Sequence, residues 1–116
     1  MTTESKCPCL ELCPLSSVMD LLGGKWKLQV LCALTNDGVT RFNTLKRKLD
    51  GVSNAALSTV LKELEGNKLI RRTQYNEIPP HVEYEAEPCC ITLIPILEEL
   101  TTWNYHRILA VQDSGS

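Results

Sequence analysis

Cysteine is the residue type in this sequence whose chemistry is most easily recognised. The chain of 116 residues has six, namely Cys7, Cys9, Cys13, Cys32, Cys89 and Cys90. In a secreted chain of this length they would indicate a disulfide framework. The polar start MTTESK lacks the apolar core of a signal peptide, and no apolar run is long enough to span a membrane. We therefore expect a cytoplasmic protein whose cysteines are reduced thiols, metal ligands or parts of a redox switch.

Cys13 stands directly before Pro14, and this dipeptide predicts the start of a helix. Proline suits the first turn because its missing N–H would be unpaired there in any case. Cys13 would then lie at or next to the N-cap, where unpaired N–H groups and the positive end of the helix dipole favour the thiolate. Cys13 is therefore the candidate for a reactive thiol that begins an oxidation. The alternative is that Cys-Pro only starts a helix and the thiol is inert.

The other cysteines allow two further chemistries. Cys7, Cys9 and Cys13 could hold a soft metal ion or an iron–sulfur cluster if Cys89 or Cys90 supplied a fourth thiol. Their spacing is not that of a common zinc site, so we assign no metal and no cofactor. Direct thiol–disulfide chemistry among these five cysteines is favoured as the redox-sensing hypothesis. The absence of any function for the additional cysteines remains open.

The remaining polar residues do not form a catalytic set. The sequence has no nucleophile–base–orienter combination, no glycine-rich phosphate loop and no paired catalytic carboxylates. His81, expected on a loop tip, and His106, expected on the last helix, have no partner at a plausible spacing. The glutamates recur at helix or strand spacing, which is typical of a solvated surface. The chain is expected to be a binding module and not an enzyme.

Two helices are predicted between residues 41 and 66. Their apolar residues recur at helical spacing and are expected to point inward: Phe42, Leu45, Leu49, Leu57, Leu61 and Leu64. Ser53 is placed to cap the second helix, and Gly66 with Asn67 ends it. Asp50-Gly51 supplies the tight corner between the two helices. This arrangement predicts a helix-turn-helix.

The outward faces of both helices carry groups that suit DNA. Amide, hydroxyl and ammonium groups bond base edges or phosphates, and small side chains allow close approach to another surface. The candidate DNA contacts on these helices are Arg41, Asn43, Lys46, Asn54, Ser58, Thr59 and Lys62. An ordinary amphipathic helix pair with a solvated face is the alternative. The helix pair alone does not decide between them.

A hairpin after the second helix favours the DNA-binding interpretation. Strands are predicted at residues 69–75 and 82–86, with a third short strand at residues 39–40. Pro79-Pro80 excludes a helix between the two long strands and predicts a stiff, extended tip. Such a hairpin is a wing, which would place Arg72 and His81 against the DNA backbone or minor groove. Thr40 is also a candidate cap for the helix that starts at residue 42. The predicted fold class is mainly α with a small β-wing, a winged helix-turn-helix.

The charge of the chain is unevenly distributed. Residues 25–81 contain ten Lys or Arg and five Asp or Glu, which gives a net charge of +5. The rest of the chain contains two Lys or Arg and nine Asp or Glu, which gives −7, so the total is −2. A basic middle with acidic flanks is typical of a DNA-binding face backed by a differently used surface. Lys25 and Lys27 are expected either to reach phosphate or to be solvated.

Apolar stripes near both ends predict a second interaction surface. The expected inner stripe of the first helix consists of Leu15, Val18, Met19 and Leu22. Residues 26–34 are predicted to form the central core helix, with Cys32 packed among them. Residues 91–111 predict one long helix, with Pro95 tolerated in its first turn. Its apolar stripe is too broad to pack against one small domain.

A symmetric homodimer through the N- and C-terminal helices would cover these stripes. The candidate dimerisation residues are Leu15, Met19, Leu97, Leu100 and Trp103. Two-fold symmetry sets two recognition helices about 34 Å apart, one turn of B-DNA, so a palindromic operator in double-stranded DNA is expected. The predicted organisation is an N-terminal arm with Cys7 and Cys9 over residues 1–12, one domain over 13–111 and a disordered tail over 112–116.

Five motifs cover roughly residues 13–107, namely Cys13-Pro14, LGGKWKLQVLCAL, RFNTLK, LSTVLKELE and LIRRTQYNEIPPHVEYE. In this order they resemble the HxlR family of winged helix-turn-helix transcription regulators, which are related to the MarR group. The resemblance implies a homodimer that binds operator DNA and, in some members, a thiol that senses oxidants or electrophiles. Cys13 matches the family's sensing cysteine, whereas Cys7, Cys9 and the Cys89-Cys90 pair depart from the usual pattern.

Three hypotheses follow. The first is a dimeric DNA-binding regulator switched by oxidation that begins at Cys13. In the second, a metal or iron–sulfur cluster at the N-terminal cysteines tunes the same DNA binder. The third is a protein-interaction module whose basic face meets an acidic partner. Steep salt dependence and one preferred DNA site would distinguish the first two from the third.

Overall fold

A computed structural model describes residues 14–115 as five helices and three short strands. In chain order they are α1 (Pro14–Leu22), α2 (Lys27–Asp37), β1 (Thr40–Arg41), α3 (Phe42–Lys48), α4 (Asn54–Gly66), β2 (Ile70–Tyr75), β3 (His81–Ala86) and α5 (Cys89–Gly115). This order confirms the predicted fold class, mainly helical with a small antiparallel sheet. The N-terminal arm over residues 1–12 and Cys13 lie outside the described residues.

The hydrophobic core lies between α2, α3, α4 and the base of the sheet. Its fully buried side chains are Val30, Leu31, Leu34, Leu45, Leu57, Leu61, Leu64, Ile70 and Cys90. Full burial of one leucine side chain contributes roughly 1.5–3 kcal/mol. The leucines of α3 and α4 therefore determine which faces of the helix-turn-helix remain outside.

The predicted ends of α4 are confirmed. The Ser53 side chain accepts a hydrogen bond from the Ala56 N–H at 3.0 Å, which caps the helix as its sequence position predicted. Asn67 follows its last residue. Gly51 has φ of +87° in the corner before α4, a conformation that side chains with a Cβ rarely adopt. Both predicted features of this turn, the glycine at its corner and the serine cap of α4, are therefore present in the structure.

The three strands form one antiparallel sheet in the order β1-β3-β2. β1 pairs Thr40 with Tyr84, which confirms a third strand beside the hairpin. Thr40 does not cap α3, because its hydroxyl donates to the Gly38 carbonyl at 2.8 Å and Arg41 occupies the N-cap position. His81 is the first residue of β3 and pairs with Tyr75, so its predicted place on the loop tip is wrong.

The terminal helices differ from the prediction in their burial and limits. In α1 only Leu22 is buried in the core, while Leu15, Val18 and Met19 are exposed, so the expected inner stripe of α1 does not pack within one chain. Pro95 lies inside α5 and not in its first turn. α5 continues to Gly115, into the segment that was predicted as a disordered tail. No helix within residues 14–115 is long and apolar enough to cross a membrane.

Candidate nucleic-acid interface

The exposed face of α4 carries the predicted base-reading residues. Burial of Leu57, Leu61 and Leu64 turns the other side of the helix to solvent. The four predicted contacts on that side are all exposed: Asn54, Ser58, Thr59 and Lys62. Three of them are short side chains, so the helix backbone can approach a groove closely. The geometry of α4 is that of a recognition helix.

A cleft of about 390 Å³ separates α4 from the wing. It is lined by Phe42, Ser58, Leu61, Lys62, Glu65, Arg72 and Tyr84. The structure therefore brings Ser58 and Lys62 of the helix together with Arg72 of β2, as the DNA-binding hypothesis requires. Glu65 was predicted as a solubility residue, and its place in this cleft was not foreseen. Its carboxylate adds a negative charge beside the two cations.

The two adjacent arginines of β2 have different surroundings. Arg71 bonds the Glu87 carboxylate at 2.9 Å and the Glu85 carboxylate at 3.4 Å. The hydrogen bond and charge of Glu87, followed by the charge of Glu85, raise the pKa of Arg71 above its usual range. Arg72 instead donates to the neutral amide oxygen of Gln74 at 3.4 Å. Arg72 thus retains a positive charge without a carboxylate partner among the contacts of the described residues, which suits a phosphate contact.

Gln74 extends this polar row along the face of β2 that Arg72 turns toward the cleft. Its amide donates to the Asn76 side chain at 3.4 Å, so Arg72, Gln74 and Asn76 follow one another at strand spacing. All three side chains are exposed. Gln74 and Asn76 were missed as candidate contacts, although the two-residue periodicity of the strand could have identified them. Amide side chains of this kind bond phosphate and sugar oxygens.

His81 has partners that its sequence spacing did not predict. Its ring stacks on Tyr75, with centroids 4.8 Å apart and an interplanar angle of 18°. Its Nε2 atom lies 3.0 Å from a carboxylate oxygen of Glu83, two residues along the same strand. The His81 side chain is only 16% exposed. The structure therefore gives the predicted DNA contact of His81 less support than that of Arg72.

The remaining predicted contacts lie in or near α3. Arg41 and Asn43 are exposed and Lys46 is half-buried. Arg41 also lines a second cleft of about 370 Å³ that contains Thr44, Lys48 and Glu83. Lys27, for which phosphate contact or solvation was expected, is buried and ion-paired with Glu63, so neither expectation is correct.

The described cysteines differ in their surroundings. Cys89 is exposed at the start of α5, Cys32 is half-buried, and Cys90 is buried with its thiol donating to the Leu69 carbonyl at 3.2 Å. Burial, followed by interaction with Cys89, raises the pKa of Cys90 to about 11. A thiol of this kind is a poor starting nucleophile, which disfavours Cys90 as the residue that begins an oxidation.

The reactive-thiol and metal-site hypotheses both depend on Cys7, Cys9 and Cys13. These three cysteines lie outside the described residues. Among the residues that the structure describes, no group of three Cys, His, Asp or Glu side chains has the geometry of a metal site.

The predicted dimerisation residues are not covered within one chain. Leu15 is 54% exposed, Met19 59%, Leu100 57% and Trp103 63%, and Leu97 is half-buried. Other large apolar side chains of α5 are also exposed, namely Ile91, Ile96, Tyr105, Ile108, Leu109 and Val111. An apolar surface of this extent is typical of a helix that packs against another protein chain.

Comparison with known proteins identifies the family. The HxlR-like helix-turn-helix family model matches residues 21–111. An uncharacterized HTH-type transcriptional regulator of Halalkalibacterium halodurans is 42% identical over 90 residues, which cover 78% of this chain and 80% of that protein. The crystal structure of the HTH-type transcriptional regulator YtcD superposes with a TM-score of 0.76 at 36% identity, over 82% of this chain and 96% of that one. The redox regulator HypR, in its oxidized form, superposes with a TM-score of 0.72 at 33% identity, over 81% of this chain and 96% of that one. The chain therefore belongs to the HxlR-like helix-turn-helix family and is a transcriptional regulator of that type.

Proposed function

We propose that this protein binds a palindromic operator in double-stranded DNA as a homodimer, and that thiol oxidation beginning at Cys13 changes its DNA affinity. The observation that carries the DNA-binding part is the cleft in which Ser58 and Lys62 of α4 meet Arg72 of the wing. A helix that enters the major groove and a cation on an adjacent hairpin contact bases and backbone at the same time. The same interface is extended by Arg41 at the end of β1 and by Asn43 and Lys46 of α3.

The exposed apolar residues of α1 and α5 support the homodimer. Leu100 and Trp103 are each more than half exposed on α5, and Met19 on α1. A second copy covers such surfaces in a self-complementary way, because two-fold symmetry places the same patch on both sides. The same symmetry repeats α4 at a spacing of about 34 Å and makes the operator palindromic.

Cys13 immediately precedes α1, whose apolar residues belong to this proposed interface. The N-terminal end of a helix favours the thiolate, which attacks the peroxide oxygen of an oxidant and releases water to give a sulfenic acid. A second thiol then displaces the hydroxyl as water and forms a disulfide, so one peroxide is reduced to two waters. Cys7, Cys9 and the exposed Cys89 are the candidate second thiols. The 33% identity to the redox regulator HypR supports this assignment.

The test uses the full chain and a 30-base-pair duplex, of about three helical turns, that the reduced protein enriches from a random pool. Fluorescence anisotropy measures affinity over a series of salt concentrations, before and after mild treatment with hydrogen peroxide. The proposal expects steep salt dependence, one preferred sequence, and a change of at least about tenfold in affinity on oxidation, reversed by dithiothreitol. Salt-dependent binding without sequence preference would contradict the operator, and unchanged affinity after oxidation would contradict the switch.

Non-reducing mass spectrometry of the same samples identifies the oxidised thiols. Loss of two hydrogens per disulfide, with Cys13 in the linked peptide, is the expected result. Oxidation that leaves Cys13 unmodified would contradict its role as the initiating thiol.

A further inference from the structure

Lys27 is a buried cation at the place where α1, α2 and α4 meet. Its exposed fraction is 8%, and within residues 14–112 no other charged residue is buried to this degree. Removing an ammonium group from water is strongly unfavourable unless the charge is paired and its N–H groups are bonded. The contacts that stabilise Lys27 in this position are therefore structurally specific.

Two contacts hold the Lys27 ammonium. Its Nζ atom donates to the main-chain oxygen of Asp20 at 3.2 Å and lies 3.1 Å from the Glu63 Oε1 atom. Asp20 is in the last turn of α1, where carbonyl groups have no partner within the helix. Glu63 is in α4, next in sequence to the candidate DNA contact Lys62. One side chain thus joins the end of α1 to the recognition helix.

α1 has few other attachments to its own domain. Leu22 is its only buried residue, and Leu15 and Met19 are exposed. Between α1 and α2 the Gly23 N–H donates to the Met19 carbonyl at 2.6 Å, and a Cβ atom at residue 23 would overlap that oxygen. The C-terminal end of α1 is therefore held by Leu21 and Leu22 on the core, by a tight glycine corner and by the Lys27 bond. A change in the direction of α1 must displace the Asp20 carbonyl from Lys27.

We propose that Lys27 is a positioning residue for DNA recognition: it couples the orientation of α1 to that of α4 through Glu63. This inference rests on the proposed DNA binding and deepens it, because Lys27 itself does not contact DNA. When the Asp20 carbonyl moves, the ammonium either follows it away from Glu63 or loses one of its two partners. Either response alters the ion pair that links α4 to the start of α2. The coupling connects the helix that Cys13 precedes with the helix that carries Ser58 and Lys62.

Glu63→Gln tests the proposal, because an effect of overall charge and an effect of positioning predict opposite changes in DNA affinity. Removal of a carboxylate from a recognition helix strengthens binding to a polyanion if only overall charge matters. Positioning predicts weaker binding, by about three- to tenfold at constant salt, because the Lys27 charge loses its countercharge. The measurement is fluorescence anisotropy with the 30-base-pair duplex selected by the wild type. Affinity equal to or above that of the wild type would overturn the proposal.

Lys27→Met retains the length of the side chain and removes its charge. The matched control is Lys68→Met, which removes the same charge from an exposed lysine outside the proposed DNA contacts. We expect Lys27→Met to weaken DNA binding while the slope of log affinity against log salt stays at the wild-type value. A slope reduced by about 1 would show that Lys27 contacts a phosphate directly and would overturn the proposal. In the Lys27→Met background, Glu63→Gln is expected to have no further effect, and a full additive loss would contradict the coupling.

Hydrogen exchange provides a readout that does not involve DNA. In Glu63→Gln, amide exchange of residues 18–22 in α1 is expected to quicken by about threefold or more, although the substitution lies in α4. Exchange in α5 at residues 104–108 serves as the internal control and should be unchanged. Unchanged exchange in α1 would overturn the coupling. If the wild type itself shows no salt-dependent binding to the duplex, the proposed function fails, while the exchange measurement still decides the coupling.

Discussion

Lys62 of the recognition helix and Arg72 of the wing line the same cleft. The two residues are in different elements, and Tyr84, which pairs with Arg72 across the sheet, is buried at the base of the cleft. The sheet therefore holds Arg72 at a defined place beside α4. Two cations that line one cleft are suited to contact phosphates of the same stretch of DNA backbone.

Arg72→Ala is expected to weaken binding to the selected duplex by about five- to tenfold and to reduce the salt slope by about 1, because one phosphate contact is lost. Arg71→Ala is the matched control, since Arg71 is already paired with Glu85 and Glu87. The control should bind DNA within about twofold of the wild type. Equal losses for both variants would show that the wing contributes only overall charge.

Lys62→Ala should also weaken DNA binding, since Lys62 is exposed on the face of α4 beside Ser58. The expected loss is about tenfold, as for one charged contact within a DNA interface. Arg107→Ala, on the exposed surface of α5, provides the control for loss of one positive charge. Anisotropy titrations at two salt concentrations check the result. Unchanged affinity of the Lys62 variant would remove this residue from the interface.

Trp103→Glu tests the proposed homodimer. Trp103 is 63% exposed in one chain, so the substitution should leave the monomer fold intact while it places a charge in an apolar interface. We expect sedimentation to show a monomer at micromolar concentration and DNA affinity to fall by at least about 100-fold, since half of the contacts are lost. The control for sedimentation is Ile78→Glu, because Ile78 is 100% exposed on the wing and a charge there should leave the oligomeric state unchanged. A wild type that already sediments as a monomer would contradict the homodimer.

Cys13→Ser should retain the DNA affinity of the reduced wild type and lose the response to peroxide. A serine hydroxyl has nearly the shape of a thiol but is not oxidised to a sulfenic acid. Cys32→Ser is the control, because Cys32 of α2 is half-buried beside Leu97 of α5 and is expected to be a packing residue. A Cys13→Ser variant whose affinity still changes with peroxide would exclude Cys13 as the initiating thiol.

The raised pKa of Cys90 predicts a loss of stability at alkaline pH. The group has a folded pKa of about 11 against an ordinary value of 9.0, so the neutral thiol is favoured in the folded state. Its contribution is fully present below pH 9 and is lost as the pH rises through about 11, with a magnitude of roughly 2 kcal/mol. Urea unfolding under reducing conditions at pH 8 and pH 10.5 measures this loss as a difference in the free energy of unfolding.

Cys90→Ala supplies the reference for this measurement. The wild type should lose more stability between the two pH values than Cys90→Ala does, because titration of the lysines is common to both proteins. Cys89→Ala removes an interaction that adds to the raised pKa of Cys90, so its loss of stability between the two pH values should lie between those of the wild type and Cys90→Ala. The same loss in all three proteins would contradict the raised pKa.

Local patterns were sufficient for the parts of the fold that depend on nearby residues. Leu57, Leu61 and Leu64 predicted the buried face of α4, and Ser53 its start, because a helix brings residues three and four apart together. The alternation of residues in the hairpin predicted the wing in the same way. The family resemblance was confirmed by the match over residues 21–111.

The errors concern residues whose surroundings are supplied by distant parts of the chain. Lys27 was expected to reach phosphate or solvent, but Glu63 and the Asp20 carbonyl surround it. His81 was expected to have no partner, but the strand register places it on Tyr75. Neither arrangement has a signal in the spacing of residues along the sequence.

By itself, the sequence determined the helix-turn-helix, the identity of its outward face and the apolar stripes of the terminal helices. Each of these follows from the repeat of a helix or strand, which is a property of a short segment. Only the tertiary structure decided that Arg72 stands beside Lys62, that Lys27 joins α1 to α4, and that Cys90 is protected from solvent. The physical reason is that burial and charge pairing depend on which elements pack together, and this depends on contacts between residues far apart in the chain.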